Sequence, residues 1–369
     1  MLAGTTYYES IWFDESDPGC VKVIDQKKLP FFFEIVDLRS VEHVFNAIKD
    51  LTVRGAPLIG AAGAFGIYLA TLEITPLTNY NLHLENAARY LSSCRPTAVN
   101  LSGAIEKVMH KLRSGIPREQ LTETALHAAI EICITEKSNN REIGLHGLSI
   151  IEALSRKKKG KPVNILTHCN AGWLACIDYG TATAPVYMAH DAGIPVHVWV
   201  DETRPRNQGA RLTAWELGQA GIPYTLITDN TGGHLMQHKM VDIVIVGSDR
   251  TTRRGDVANK IGTYLKALAA RDNGIPFYSA FPSSTFDFSI SDGLNEIMIE
   301  ERDEDEVLNV EGLSGGKIES VRICPDNTKS ANFAFDITPA KLITGLITEK
   351  GICKPSEKDI LKMFSEKIK

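Results

Sequence analysis

Two residues in this chain have the chemistry of a proton-transfer pair. They are Cys169, in T-H-C-N-A-G (167–172), and Asp249, in G-S-D-R (247–250). Each follows a β-branched run, Val163–Thr167 and Val241–Val246, and leads through a polar loop to a helix-compatible segment. In an open parallel sheet, reactive groups gather beyond the carboxyl ends of the strands. A carboxyl at the mouth of a dry pocket has a raised pKa and serves as acid or base. A thiol beside a helix N-terminus has a lowered one. The plainer alternatives are a buried cysteine acting as a small hydrophobe and an aspartate capping its own turn. His168 reads as a structural loop histidine. Cys169 and Cys176 are spaced too widely for a zinc pair, so no metal site is expected.

Other motifs look like grips for an anion. Arg54-Gly55-Ala56-Pro57 joins a helix end to a helix start, placing an arginine beside unpaired N–H groups at a positive dipole end. Arg95-Pro96-Thr97-Ala98-Val99-Asn100 repeats that arrangement. The loop from Asp201 to Arg211 combines charge, amide and glycine at a strand end, and its Gln208 can donate or accept. Gly255-Asp256-Val257-Ala258-Asn259-Lys260 is read as leading into a helix, with Asn259 and Lys260 suited to phosphate or hydroxyl contacts. No complete G-x-G-x-x-G or Walker pattern is present, which disfavours a nucleotide.

The elements that must hold these residues are read from periodicity. Tyr7–Phe13, Val21–Ile24 and Phe31–Val36 read as strands, with Asp17-Pro18-Gly19 as a turn. From Ser40, a candidate N-cap, Val41, Val44, Phe45, Ile48 and Leu51 form a helical stripe. Further helices are expected over 57–72, 81–93, 99–114 and 117–153. Strands then alternate with helices at Val163–Thr167, Val196–Asp201, Tyr224–Thr228, Val241–Val246 and Pro276–Ala280. Gly-Ile-Pro at 193–195, 221–223 and 274–276 ends a helix with glycine and blocks its continuation with proline. The fold class expected is α/β: a C-terminal doubly wound, Rossmann-like parallel sheet (141–369) and a smaller N-terminal domain (1–140) of a short β cluster plus helices. Residues 283–333 read as irregular, with the acidic run 300–306 as a solvated face or helix start. Helices are expected again over 339–349, after Asp336-Ile337-Thr338-Pro339, and over 356–367.

Composition narrows the function. A net charge of -5 argues against a general nucleic-acid binder, which needs a basic surface. Seven scattered cysteines without C-x-x-C suggest neither a disulfide framework nor a zinc knuckle, and a reducing, cytoplasmic setting fits. No signal-like or membrane-spanning apolar run is read.

Taken in order, seven motifs resemble the methylthioribose-1-phosphate isomerase family. They are I-D-Q-K-K-L-P (24–30), V-R-G-A-P-L-I-G (53–60), R-P-T-A-V-N-L (95–101), T-H-C-N-A-G (167–172), D-E-T-R-P-R-N-Q-G-A-R-L-T-A-W-E-L (201–217), G-D-V-A-N-K-I-G-T-Y (255–264) and F-D-I-T-P-A-K-L-I-T-G-L-I-T-E-K-G (335–351). That family shares a superfamily with regulatory subunits of the translation-initiation guanine-exchange factor and with ribose-1,5-bisphosphate isomerases. The resemblance implies that Asp249 is the proton donor and Cys169 its partner across the reacting carbons. It implies that Arg54, Gly55, Ala56, Arg95, Gln208, Asn259 and Lys260 hold the sugar phosphate. It also implies aldose–ketose isomerisation in methionine salvage, no metal or nucleotide cofactor, and a homodimer. The alternatives are an isomerase of a related ribose 1-phosphate and a non-catalytic phosphosugar-binding subunit. Trp173, Asn207, Arg253-Arg254 and a long 302–334 segment depart from the family pattern and bear on substrate identity.

Overall fold

The computed structural model describes residues 1–77, 79–95 and 98–365. Its centre is a seven-stranded sheet built from β1 (Val163–Thr167), β2 (Val196–Asp201), β3 (Tyr224–Ile227), β4 (Ile243–Val246), β5 (Phe277–Ala280), β6 (Gly345–Thr348) and β7 (Gly351–Cys353). The spatial order is β7-β6-β5-β4-β1-β2-β3, and only edge strand β7 runs antiparallel. Chain order reverses between β1 and β4, so a crevice opens beyond their carboxyl ends. β4 and β6 are buried at every position, the mark of strands covered on both faces. One face packs Val163, Ile165, Val198, Ile243 and Ile245 under the helix Ala184–Asp191. The other packs Leu166, Val244, Val246 and Phe277 under the helices Thr231–Gln237 and Thr263–Asp272. The Gly-Ile-Pro glycines Gly193, Gly221 and Gly274 all have positive φ just past a helix end, as the C-terminal turn of a helix requires.

The N-terminal part holds the strands Ile11–Phe13, Val21–Ile24 and Ile35–Leu38 and the helices α1 (Val41–Lys49), α2 (Ala56–Leu72), α3 (Tyr80–Ser93), α4 (Val99–Leu112) and α5 (Leu121–Lys158). Ser40 caps α1 by accepting from the His43 N–H. α2 is buried almost throughout because its glycines let neighbours approach: a Cβ on Gly63 would lie 2.5 Å from Leu101. α5 runs unbroken through residue 140. Its first half joins the helical core through Ala125, Ala129 and Cys133, and its second joins the sheet core through Ile143 and Ile151. A division at 140/141 therefore falls inside one helix.

Two expectations from the sequence need correction. The segment 339–349 is not a helix. After a single turn at Ala340–Leu342 it becomes β6, whose Gly345 has the Tyr278 ring 2.9 Å from the place of a Cβ. Asp336 caps a different helix, accepting from Gly262 and Tyr264 N–H. Residues 283–333 are not irregular throughout, since Asn309–Ser314 and Lys317–Arg322 form a hairpin around Gly315-Gly316. Asn259 and Lys260 end a strand, Val257–Lys260, paired antiparallel with Phe335–Thr338, and the chain then enters the helix Thr263–Asp272, as the segment's reading expects. The helix expected over 356–367 spans Glu357–Met363, and the last residues of that expectation lie outside the described ones.

Candidate active site

A cleft lies at the switch point, bounded by the ends of β1 and β4, the start of α2 and the strand Val257–Lys260. Cys169 and Asp249 both line it, together with Arg54, Gly55, Ala56, Arg95, Gln208, Asn259 and Lys260. Segments far apart in the chain thus share one cavity. Pro96 and Thr97 of the second anion turn lie outside the described residues.

Cys169 sits two residues past the end of β1 with φ 65°, a left-handed conformation uncommon outside glycine. Two threonines hold it there. Thr203 Oγ1 accepts from the Cys169 N–H at 2.8 Å, and Thr213 donates to the Cys169 carbonyl at 2.7 Å. Burial pushes the thiol pKa up, Arg54 and Lys260 pull against that, and the Asp249 charge adds to the rise. The lowering expected from a helix N-terminus is therefore corrected. The loop runs on into a single turn at Trp173–Ala175, and desolvation outweighs any dipole there.

Asp249 is enclosed by protein while part of its surface opens on the cleft. Its backbone N–H donates to Ala258, but among the described residues none hydrogen-bonds its carboxylate. Burial raises its pKa, with Lys260, Arg54 and Arg95 opposing. Lys260 is shifted down by burial, with Cys169 and Asp249 opposing, and its ammonium lies 5.2 Å from the centre of the Phe335 ring.

One side of the cleft is built on the start of α2. Gly55 has φ 96°, and a Cβ there would lie 2.5 Å from Ala175, so only glycine brings this helix start so close to the β1 loop. The first-turn N–H groups of a helix have no partner inside it. Beside them, Arg54 Nη1 and Nη2 donate to the Asn170 side chain and carbonyl at 2.5 and 2.8 Å. Arg95 pairs with Glu300 at 3.1 Å, while its buried Nε has no protein partner. The buried Gln208 Oε1 is likewise unpartnered. Both side chains line the cleft.

Several lining or supporting residues escaped the sequence reading. Glu216 is buried, and it accepts from Asn170 Nδ2, the N–H groups of Trp173 and Leu174, and the Tyr187 hydroxyl. It organises the loop that carries Cys169 and, through Asn170, orients Arg54. Arg302 also lines the cleft, paired with Glu300 at 3.1 Å and Glu306 at 2.7 Å. Arg302 alone of the run 300–306 reaches the cleft, while Glu301, Asp303, Glu304 and Asp305 are exposed and the run opens the helix Asp305–Leu308, as a solvated face or helix start should. The lone cation among its acids was the available signal. Of the departures from the family pattern, Trp173 packs on Trp215 away from the cleft, and Arg253 pairs with Glu357.

His168, Asp201 and Asp229 bring three ligand-type atoms within 4.8 Å of one another, a set able to hold a metal ion. Here the Lys266 ammonium supplies the positive charge, 3.1 Å from Asp201, and His168 is held between Asp201 and the Ile261 carbonyl. That is the structural role expected of this histidine.

Residues 52–355 match the family described as the initiation factor 2 subunit family. A protein of Desulfatibacillum aliphaticivorans named methylthioribose-1-phosphate isomerase is 56% identical over 369 residues, covering all of both chains. The crystal structure of 5-methylthioribose 1-phosphate isomerase from Pyrococcus horikoshii aligns with TM-score 0.84 and 37% identity, covering 98% of this chain and 96% of that one. A structure from A. fulgidus named translation initiation factor eIF-2B, subunit delta, aligns with TM-score 0.80 and 41% identity, covering 97% and 100%.

Proposed function

The chain belongs to the initiation factor 2 subunit family, and from that premise we infer that it is an aldose–ketose isomerase. It converts S-methyl-5-thio-α-D-ribose 1-phosphate to S-methyl-5-thio-D-ribulose 1-phosphate, the methionine-salvage step. The observation that carries this reading is a thiol and a carboxyl whose pKa burial raises, Cys169 and Asp249, on one cleft whose other ionisable groups are mainly cations. Full-length identity to a relative of that name supports the substrate.

A phosphate on the anomeric carbon blocks ordinary hemiacetal opening. The ring oxygen must instead be protonated as its bond to C1 breaks, after which hydrogen moves from C2 to C1. Asp249 supplies the first proton, since burial keeps its carboxyl protonated above the usual carboxylate range. Cys169 faces the reacting carbons as base or charge partner. Arg54, Arg95, Gln208, Asn259, Lys260 and the Gly55–Ala56 helix start anchor the phosphate and hydroxyls. The proposal includes a cytoplasmic homodimer. The free state of all seven cysteines supports a reducing compartment, and light scattering tests the dimer.

The deciding experiment is a substrate panel of methylthioribose 1-phosphate, 5-deoxyribose 1-phosphate and ribose 1,5-bisphosphate. Turnover of the first is expected, and turnover of the bisphosphate alone overturns the reading. The name of the A. fulgidus relative favours a second reading, a non-catalytic phosphosugar-binding subunit. Binding of all three sugars with no turnover would support that one.

A further inference from the structure

Behind Asp249 the cleft adjoins a second, smaller compartment that shares Gly55, Ala56, Arg95, Asp249 and Phe335 with it. Its remaining wall is mostly apolar, with Ile59, Ala258, Ile297, Met298 and Ile299. The segment 297–299 comes from a region the sequence presents as irregular. It is fixed behind the site because Ile297 packs on Ala258 and Ile290, and because the Glu300 carbonyl accepts from Ala334.

We propose that this compartment receives the C5 substituent of the sugar, and that Met298 and Ile299, with Phe335, make the protein select an apolar thioether over a second phosphate. The proposal rests on the isomerase reading above and adds the side chains that read the substrate's far end. Charge supports it. A 5-phosphate placed here needs a cation to itself, yet Arg250 is already bound to Asp287, and Arg95 is paired with Glu300 and bordered by the 1-phosphate end. Desolvating a dianion against isoleucine, methionine and phenylalanine, with both lining arginines already paired to carboxylates, is strongly unfavourable. A methylthio group loses nothing on entering and gains apolar burial.

The test compares kcat/KM for methylthioribose 1-phosphate with that for 5-deoxyribose 1-phosphate, which lacks the sulfur and its methyl. Two variants are used, Met298→Ser and Ile299→Thr. Met298 is 78% exposed, so its replacement spares the core, and thermal melting checks both proteins. The expected result is a fall of about tenfold in the methylthio-to-deoxy ratio in at least one folded variant, the scale on which a hydrophobic pocket discriminates one small apolar group. The fall should be carried mainly by KM. An unchanged ratio in both variants, with the unaltered enzyme active on methylthioribose 1-phosphate, removes this subsite and leaves the isomerase reading standing. Inactivity of the unaltered enzyme on both sugars removes the isomerase reading and this proposal with it.

Discussion

Two carboxylates stand near the β1 loop, Glu216 buried and Asp249 half-buried at the cleft, and their surroundings differ. Glu216 lies beneath the loop, ringed by donors from Asn170, Trp173, Leu174 and Tyr187. Asp249 lies at the mouth of β4, facing the cleft with no donor to its carboxylate among the described residues. Burial raises both pKa values. For Glu216 the surrounding hydrogen bonds oppose the rise, whereas for Asp249 only more distant cations do. A buried acid saturated with donors is architecture, because it ties four groups into one conformation. A buried acid without them keeps its proton available, which is what general-acid chemistry needs.

The contrast can be broken most sharply at Asp249. Asp249→Asn should lower kcat by about 100- to 10,000-fold, the usual worth of a general acid, while KM changes little. Steady-state kinetics check this, and full activity would place the acid elsewhere. The same variant should not lose stability. The folded pKa of Asp249 lies above its unfolded value, so the folded state holds the extra proton. Its favourable contribution is complete below the ordinary carboxylate range and is lost as pH rises through the raised value. At neutral pH the amide removes that penalty, and the melting temperature should hold or rise. Glu216→Ala should do the reverse, lowering stability by about 3 kcal/mol because several buried donors lose their acceptor at once. Chemical denaturation reads this, and a loss within error would mean that water replaces the carboxylate.

Arg95→Ala should raise KM by about tenfold with kcat largely kept, the effect of losing one charge-assisted contact to phosphate. Unchanged KM would remove Arg95 from the phosphate site. The smallest effect concerns pH. Activity that needs protonated Asp249 declines as pH rises through its raised pKa, so the alkaline limb should lie above the ordinary carboxylate range. Lys260 is the strongest of the charges that pull this pKa down. Lys260→Gln should therefore shift the limb to higher pH in whatever turnover remains, and a shift to lower pH would contradict the assigned electrostatics.

Much of the scaffold was legible in the chain. The β-branched runs gave β1 and β2 with their full limits, and the Gly-Ile-Pro triplets marked three helix ends, because these signals act within a few residues. The same locality explains the errors at the tail. Ahead of L-I-T-G-L-I-T (342–348), Asp336-Ile337-Thr338-Pro339 looks like a cap, and only the neighbouring β5 and Tyr278 make Gly345–Thr348 a buried strand. The hairpin at 309–322 had a local signal, Gly315-Gly316 between alternating residues, that the surrounding charge obscured.

By itself, then, the sequence determined which residue types were present to do chemistry and the order of the strands that carry them. Tertiary structure alone decided that Cys169 is pushed up rather than down, that Arg302 leaves the acidic run to wall the cleft, and that Glu216 holds Asn170 and with it Arg54. The physical reason is range. Backbone preference is settled by near neighbours, but desolvation, ion pairing and the satisfaction of buried donors depend on groups that meet only after the sheet has brought distant segments together.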